Sequence, residues 1–263
     1  MSPTLLISGP PGCGKTSWIL NRIRNHRGPC GFLRLVGYPD EGLLQARDGG
    51  IDLAWLQDQY PGLLDLADPD QALAPRPANL LALIELPQFQ PPADSGLAGV
   101  DRRVIPQLEA MHLSPDEHLH FGRDDLLPRQ DTLDFNSLQA LERNLAGSVW
   151  DPASLSSFWF ELVNGAYGDV YRAKALMNLP DGQAFFCNWM VSREGSQFLP
   201  LQSIAPPDCR PERLSRLVVQ GKDLDPTALE DTLADCLLSD AVLELQQAPL
   251  RQRQTPSHPS PAA

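Results

Sequence analysis

The residues best placed to do chemistry open the chain. Gly9-Pro10-Pro11-Gly12-Cys13-Gly14-Lys15-Thr16 fits the pattern G-x-x-x-x-G-K-[ST], a phosphate-binding P-loop. Glycines let the backbone turn its N–H groups inward and approach phosphate oxygens closely. A helix beginning near Lys15 adds the positive end of its dipole. Lys15 reaches the β- and γ-phosphates on this reading, Thr16 holds Mg²⁺, and Ser17 completes the loop. Gly9, Pro10, Pro11, Gly12, Cys13, Gly14, Lys15, Thr16 and Ser17 are therefore the candidate nucleotide-binding residues. Cys13 reads as a small residue within the loop.

A second candidate is Glu85. It closes the apolar run Asn79-Leu80-Leu81-Ala82-Leu83-Ile84, the signature of an interior strand. A carboxylate at the C-terminal end of such a strand lies where open α/β sheets bind ligands. There it can accept from a metal-bound water or orient an attacking one, and the plainer alternative is a charge facing solvent. A third candidate is a histidine group. His112, His118 and His120 lie near Asp116 and Glu117. On a strand, His118 and His120 face one side and could hold Zn²⁺. The alternative is a solvated loop and strand end.

The elements around the loop have the order it needs. Thr4-Leu5-Leu6-Ile7-Ser8 reads as a strand. Ser17 to His26 reads as a helix with Trp18, Ile19 and Ile23 on one face and Gly28 as its stop. Gly31 to Val36 reads as the next strand, so the chain opens as β-α-β with a parallel sheet. Residues 37–77 are short apolar pieces, either nucleotide-sensing loops or two short helices. Further on, Arg102 to Met111 reads as a helix, His118 to Phe121 as a strand and Phe135 to Leu145 as a helix. Asp151-Pro152 looks like a boundary.

Beyond it the texture changes. Ser157 to Val163 looks helical. Asp169 to Leu179 and Gln183 to Val191 are strand-like, and Pro180-Asp181-Gly182 between them reads as a hairpin turn. Leu214 to Gly221 is another strand. Asp225-Pro226 opens a helix that runs to about Leu238, with Asp as N-cap and Pro at the first position. Residues 246–263 are rich in Pro, Gln and Ser and read as a disordered tail. The expected domains are 1–150, 151–245 and that tail.

Composition narrows the function classes. The chain has 263 residues and a formal net charge of −12, which argues against general nucleic-acid binding. No apolar run reaches the length of a membrane span. The N-terminal stretch lacks a basic n-region, so the expected location is cytoplasmic. Cys13, Cys30, Cys187, Cys209 and Cys236 are scattered, with no C-x-C or C-x-x-C spacing, which argues against a disulfide framework or a thiolate zinc site.

With these segments in view, the chain resembles the CobW-type P-loop GTPases, relatives of the urease and hydrogenase nickel-insertion GTPases. Asp169-Val170-Tyr171-Arg172-Ala173-Lys174-Ala175 looks like that family's "v-x-R-x-K-G" strand. Arg213 to Asp225 looks like its "R-x-x-L-V-x-I-G-x-x-L-D" segment. The resemblance implies a P-loop NTPase fold, a parallel sheet flanked by helices, followed by a small α+β CobW C-terminal-like domain. It implies Mg²⁺, GTP as ligand and a protein partner acting through the C-terminal domain. Three family motifs depart here. The C-x-C-C metal motif is absent, and the "E-x-x-G" at the end of the third strand becomes Glu85-Leu86-Pro87-Gln88, where the glutamate matches and the glycine does not. The base-reading "N-K-x-D" has its counterpart in Gly122-Arg123-Asp124-Asp125, where Asp125 alone matches. The bound nucleotide is thus GTP or ATP. The function implied is a metallochaperone-like, slowly hydrolysing accessory protein. A non-hydrolysing interaction module, or a P-loop ATPase or small-molecule kinase, are the alternatives.

Overall fold

A computed structural model describes residues 3–36, 45–68, 70, 77, 79–87, 104–121 and 138–254. The chain divides into two compact units, Met1–Ser137 and Leu138–Ala263.

In the first unit, β1 (Thr4–Gly9) leads through the loop into α1 (Lys15–Arg24), then β2 (Cys30–Val36) and β3 (Gln45–Arg47). α2 (Gly50–Gln59), β4 (Leu64–Asp65), β5 (Leu81–Pro87), α3 (Ile105–Ala110) and β6 (Glu117–His120) follow. The sheet order is β3-β2-β5-β1-β6, with β4 also on β2. The pairs β2–β5, β5–β1 and β1–β6 are parallel, and only β3 runs against its neighbour among the described strands. β1 and β5 are central, so both read as near-continuous apolar runs, buried on both faces. On one face Leu6, Leu33, Leu35, Ile84 and Leu86 pack with Val104 and Leu108 of the α3 segment. The opposite parity, Ile7, Arg34 and Glu85, faces α1 and α2. This is a doubly wound α/β layer, as the β-α-β opening predicts.

The face of α1 differs in detail from expectation. Ile19, Leu20 and Ile23 are buried with Lys15, while Trp18 is half-buried. The helix ends at Arg24 with Asn25 as C-cap rather than at Gly28. Of residues 37–77, the described part holds one helix and two short strands, which is neither two helices nor loops alone.

The second unit is a five-stranded antiparallel sheet, order β10-β9-β8-β11-β7. Its strands are β7 (Gln139–Asn144), β8 (Asp169–Asn178), β9 (Ala184–Met190), β10 (Gln197–Pro200) and β11 (Arg216–Lys222); its helices are α4 (Pro152–Val163), α5 (Pro226–Cys236) and α6 (Asp240–Gln254). Trp150, Phe158, Trp159 and Leu162 pack with Leu229 and Leu233 against Ala173, Ala175, Met177, Cys187, Leu217 and Val219 of the sheet. The Pro-Asp-Gly hairpin forms as read. Gly182 has φ 84°, and a Cβ there would lie 1.8 Å from the Ala205 carbonyl oxygen, so only glycine fits.

Three expectations fail here. The described part of the 135–145 segment is β7, not a helix. Leu138, Leu141 and Leu145 suit a helical repeat, but a sparse pattern of this length is ambiguous, and pairing with β11 along Gln139–Asn144 decides it. Asp151-Pro152 opens α4 inside a unit that starts at Leu138. Helix α6 continues to Gln254, into the stretch read as a tail. Its Gln247 is buried and donates to the carbonyls of Pro180 (3.3 Å) and Cys209 (3.2 Å).

The helix caps follow sequence rules. Asp225 accepts from the N–H groups of Thr227 and Ala228, each at 3.0 Å. Asp151 accepts from the Ser154 N–H and hydroxyl, both at 2.9 Å. Those bonds hold the Asp151 carboxyl below the usual range. A depressed folded-state value means that this cap adds stability above the ordinary carboxylate pKa and loses it as pH falls through the depressed one. Asp151→Ala is expected to destabilise the chain by about 0.5–2 kcal/mol at neutral pH, with the deficit shrinking in acid. Urea unfolding of both proteins at pH 7 and pH 3 checks this.

Candidate functional site

The site is built where β1 ends. Gly9, Gly12 and Gly14 adopt φ of 138°, 79° and 102°, values that side-chain-bearing residues rarely take. Gly9 has a second constraint, since a Cβ on it would lie 2.8 Å from Cβ of Phe121. These turns bring the chain round so that α1 starts at Lys15, with Gly14 at the N-cap and no side chain capping it. The first-turn N–H groups stay available for an anion.

Lys15 is buried, 6% exposed. Its ammonium donates to the carbonyls of Gly9 (2.9 Å) and Pro10 (3.0 Å) and lies 3.6 Å from Oε1 of Glu85. The expected site carboxylate is therefore beside the loop lysine and not a solvent-facing charge. Parallel register explains it: Ile7 pairs with Glu85, and Glu85 pairs with Arg34 on the other side. Oε2 of Glu85 is buried with no hydrogen-bond partner among the described residues. Burying a carboxylate oxygen unmatched is costly.

Thr16 makes a contact that sequence reasoning missed. Its hydroxyl donates to Oδ1 of Asp52 at 2.8 Å, and Oδ2 of Asp52 lies 3.1 Å from Nη1 of Arg34. Asp52 is 4% exposed, in the first turn of α2. One signal was present. Asp52 is the lone carboxylate among Ile51, Leu53, Trp55 and Leu56, all buried, and a buried carboxylate needs partners. Lys15, Thr16, Arg34, Asp52 and Glu85 thus form one cluster of two cations, two carboxylates and a hydroxyl at the carboxyl end of the strands.

The histidines are elsewhere. His118 and His120 do share a side of β6, as strand alternation predicts. They face the α3 side and are buried, 3% and 1% exposed, so the solvated reading is wrong. Ser8 explains the burial. Its hydroxyl lies 2.6 Å from Nε2 of His118 and 2.7 Å from Nδ1 of His120. A hydroxyl has one proton and two lone pairs, so at least one of the two rings presents an N–H to it. Among the described residues no group of three or more His, Cys, Asp and Glu side chains could hold a metal ion. Burial raises the thiol pKa of Cys30 and Cys236 and pushes Cys187 up to about 12, keeping these sulfurs protonated and poor as ligands. Asp125 lies outside the described residues.

A parallel sheet with this loop after its first strand defines a P-loop protein of the α/β class. Residues 146–237 match the family described as the cobalamin synthesis protein cobW C-terminal domain. The chain thus carries a P-loop unit followed by a segment similar to that domain. None of the curated proteins matches it. Among solved structures it is similar to the Zn(II)-bound YjiA GTPase of E. coli, at 12% identity over 90% of this chain and 99% of that one, with a TM-score of 0.32. A Zn(II)-bound triple mutant of the YjiA GTPase is similar at 14% identity, with the same coverage and TM-score. No helix among the described residues is long and apolar enough to cross a membrane.

Ser8→Ala removes the hydroxyl on which both buried rings converge. It is expected to lower stability by about 1–3 kcal/mol, read by denaturant unfolding. No change would show that the two rings are held without Ser8.

Proposed function

We propose that this chain binds a Mg²⁺-nucleoside triphosphate in its P-loop unit and serves as a CobW-like accessory protein. It hydrolyses the nucleotide slowly and acts on a protein partner through the C-terminal domain. One observation carries the reading: Lys15 and Thr16 are presented together on glycine turns at the carboxyl end of β1, with uncapped N–H groups beside them. Phosphate oxygens compete for the Lys15 ammonium that Gly9, Pro10 and Glu85 now share. They also accept from the loop N–H groups and meet the α1 dipole.

The local donors suit Mg²⁺, which takes hard oxygen ligands. Thr16 is the candidate ligand, with the partnerless Oε2 of Glu85 as a further oxygen of the same cluster. The metal supplies charge neutralisation on the phosphates. Glu85 is placed to accept from, and so orient, a water near the γ-phosphate. GTP is the nucleotide favoured, because the C-terminal segments are those of the CobW type. ATP remains the competitor, because Gly122-Arg123 replaces the Asn-Lys of the base-reading motif. The missing C-x-C-C motif favours a second reading, an adaptor whose metal cargo chemistry is lost. Cytoplasmic location and a metallochaperone-like role belong to the first.

Lys15→Ala is expected to abolish nucleotide binding. Calorimetric titration with GTP and with ATP tests it, and equal, tight binding by wild type and variant would sink the P-loop assignment. Intrinsic turnover is expected to be on the order of 10⁻² s⁻¹ or slower, since the Arg34 guanidinium on the site face is engaged by Asp52. A fast, partner-independent rate of phosphate release contradicts this.

A further inference from the structure

Resting on the nucleotide-binding reading, we infer that Asp52 is the positioning residue for the Mg²⁺ site. It acts through the Thr16 hydroxyl, and Arg34 holds it in place.

The argument begins with the hydroxyl. Thr16 has one proton and two lone pairs to place. In the structure the proton goes to Oδ1 of Asp52 at 2.8 Å. That orientation turns the lone pairs away from the carboxylate, so the hydroxyl is set as an acceptor toward a cation. Without Asp52 the hydroxyl can rotate and offer its proton instead. The carboxylate also makes the oxygen more electron-rich, as partners of metal ligands generally do.

Asp52 is itself fixed. It is 4% exposed, and its second oxygen lies 3.1 Å from the Arg34 guanidinium. Its place in the first turn of α2 sets it near the positive end of that helix. Two cations and a helix end thus surround a buried carboxylate pair, Lys15 with Glu85 and Arg34 with Asp52. The division of labour is clear from the distances. Glu85 serves the lysine, and Asp52 serves the threonine. The Thr16 hydroxyl donates to a residue 36 positions away in sequence.

The test measures binding of a fluorescent GTP analogue in EDTA and across a Mg²⁺ series. Wild type, Asp52→Asn, Asp52→Glu, Thr16→Ala and the Thr16→Ala/Asp52→Asn double variant are compared. Asp52→Asn is expected to leave affinity in EDTA unchanged and to raise the Mg²⁺ concentration for half-maximal effect by about 10–100-fold. Asp52→Glu keeps a charge against Arg34 should the Asn variant fail to fold, and it is expected to raise that concentration by a smaller factor. In the Thr16→Ala background, Asp52→Asn is expected to add nothing. Equal loss of affinity with and without Mg²⁺ would reduce Asp52 to a structural residue. Wild-type Mg²⁺ dependence in the Asn or Glu variant, or additive effects in the double variant, would also overturn the assignment. Absence of binding by wild type at any Mg²⁺ concentration overturns the nucleotide reading itself, before any variant is compared.

Discussion

A buried ammonium group must be answered by oxygen, and the Lys15 ammonium organises the first unit around that need. Taking a charge out of water costs several kcal/mol unless it is paired and hydrogen-bonded. Lys15 is satisfied from two directions. The loop supplies the carbonyls of Gly9 and Pro10, and β5 supplies Glu85. The first requires glycine dihedrals at positions 9, 12 and 14. The second requires β1 and β5 to be parallel neighbours in the register that sets Ile7 against Glu85. Loop, sheet order and register thus converge on one nitrogen. Phosphate is the natural rival for it, so the same interaction that holds the free loop together is the one a nucleotide exchanges.

The surrounding charges extend the logic. Arg34 lies next to Glu85 on β2, and its guanidinium engages Asp52 of α2, which in turn takes the Thr16 proton. Four charged side chains on four elements balance locally, which lets them be buried beside an apolar sheet. On the opposite face Ser8 joins two histidine rings in the same layer as Leu6, Ile84 and Leu86. A β-strand turns alternate residues to opposite sides. The single step from Ile7 to Ser8 therefore separates the Lys15–Glu85 layer from the histidine layer.

The C-terminal unit is a different kind of object. Its antiparallel sheet buries a core of Trp150, Phe158, Trp159 and Leu162 against small residues, Ala173 and Ala175, on β8. Burial keeps the Cys187 thiol protonated, with a pKa of about 12. The segments that resemble the CobW-type motifs lie on β8, β11 and the start of α5, within the residues 146–237 that match the cobW C-terminal domain.

Much of this was legible in the residues. The P-loop, β1, α1 and β2, the interior strand ending at Glu85, the Pro-Asp-Gly hairpin and the Asp225 cap are local devices. Each is set by spacing over a few residues, by glycine and proline dihedrals, or by a side chain bonding its own helix. Even the shared face of His118 and His120 follows from strand alternation. Tertiary structure alone decided the rest. Asp52 meets Thr16 across 36 positions, and Ser8 meets the histidines across 110 and 112. No local spacing encodes such contacts. β7 became a strand because β11 offered an open edge to a segment whose own pattern was undecided, and α6 formed because Gln247 found two carbonyls to satisfy. The sequence determines which groups can hold phosphate; only the fold determines which carboxylate serves which partner, because that depends on strand register and not on order along the chain.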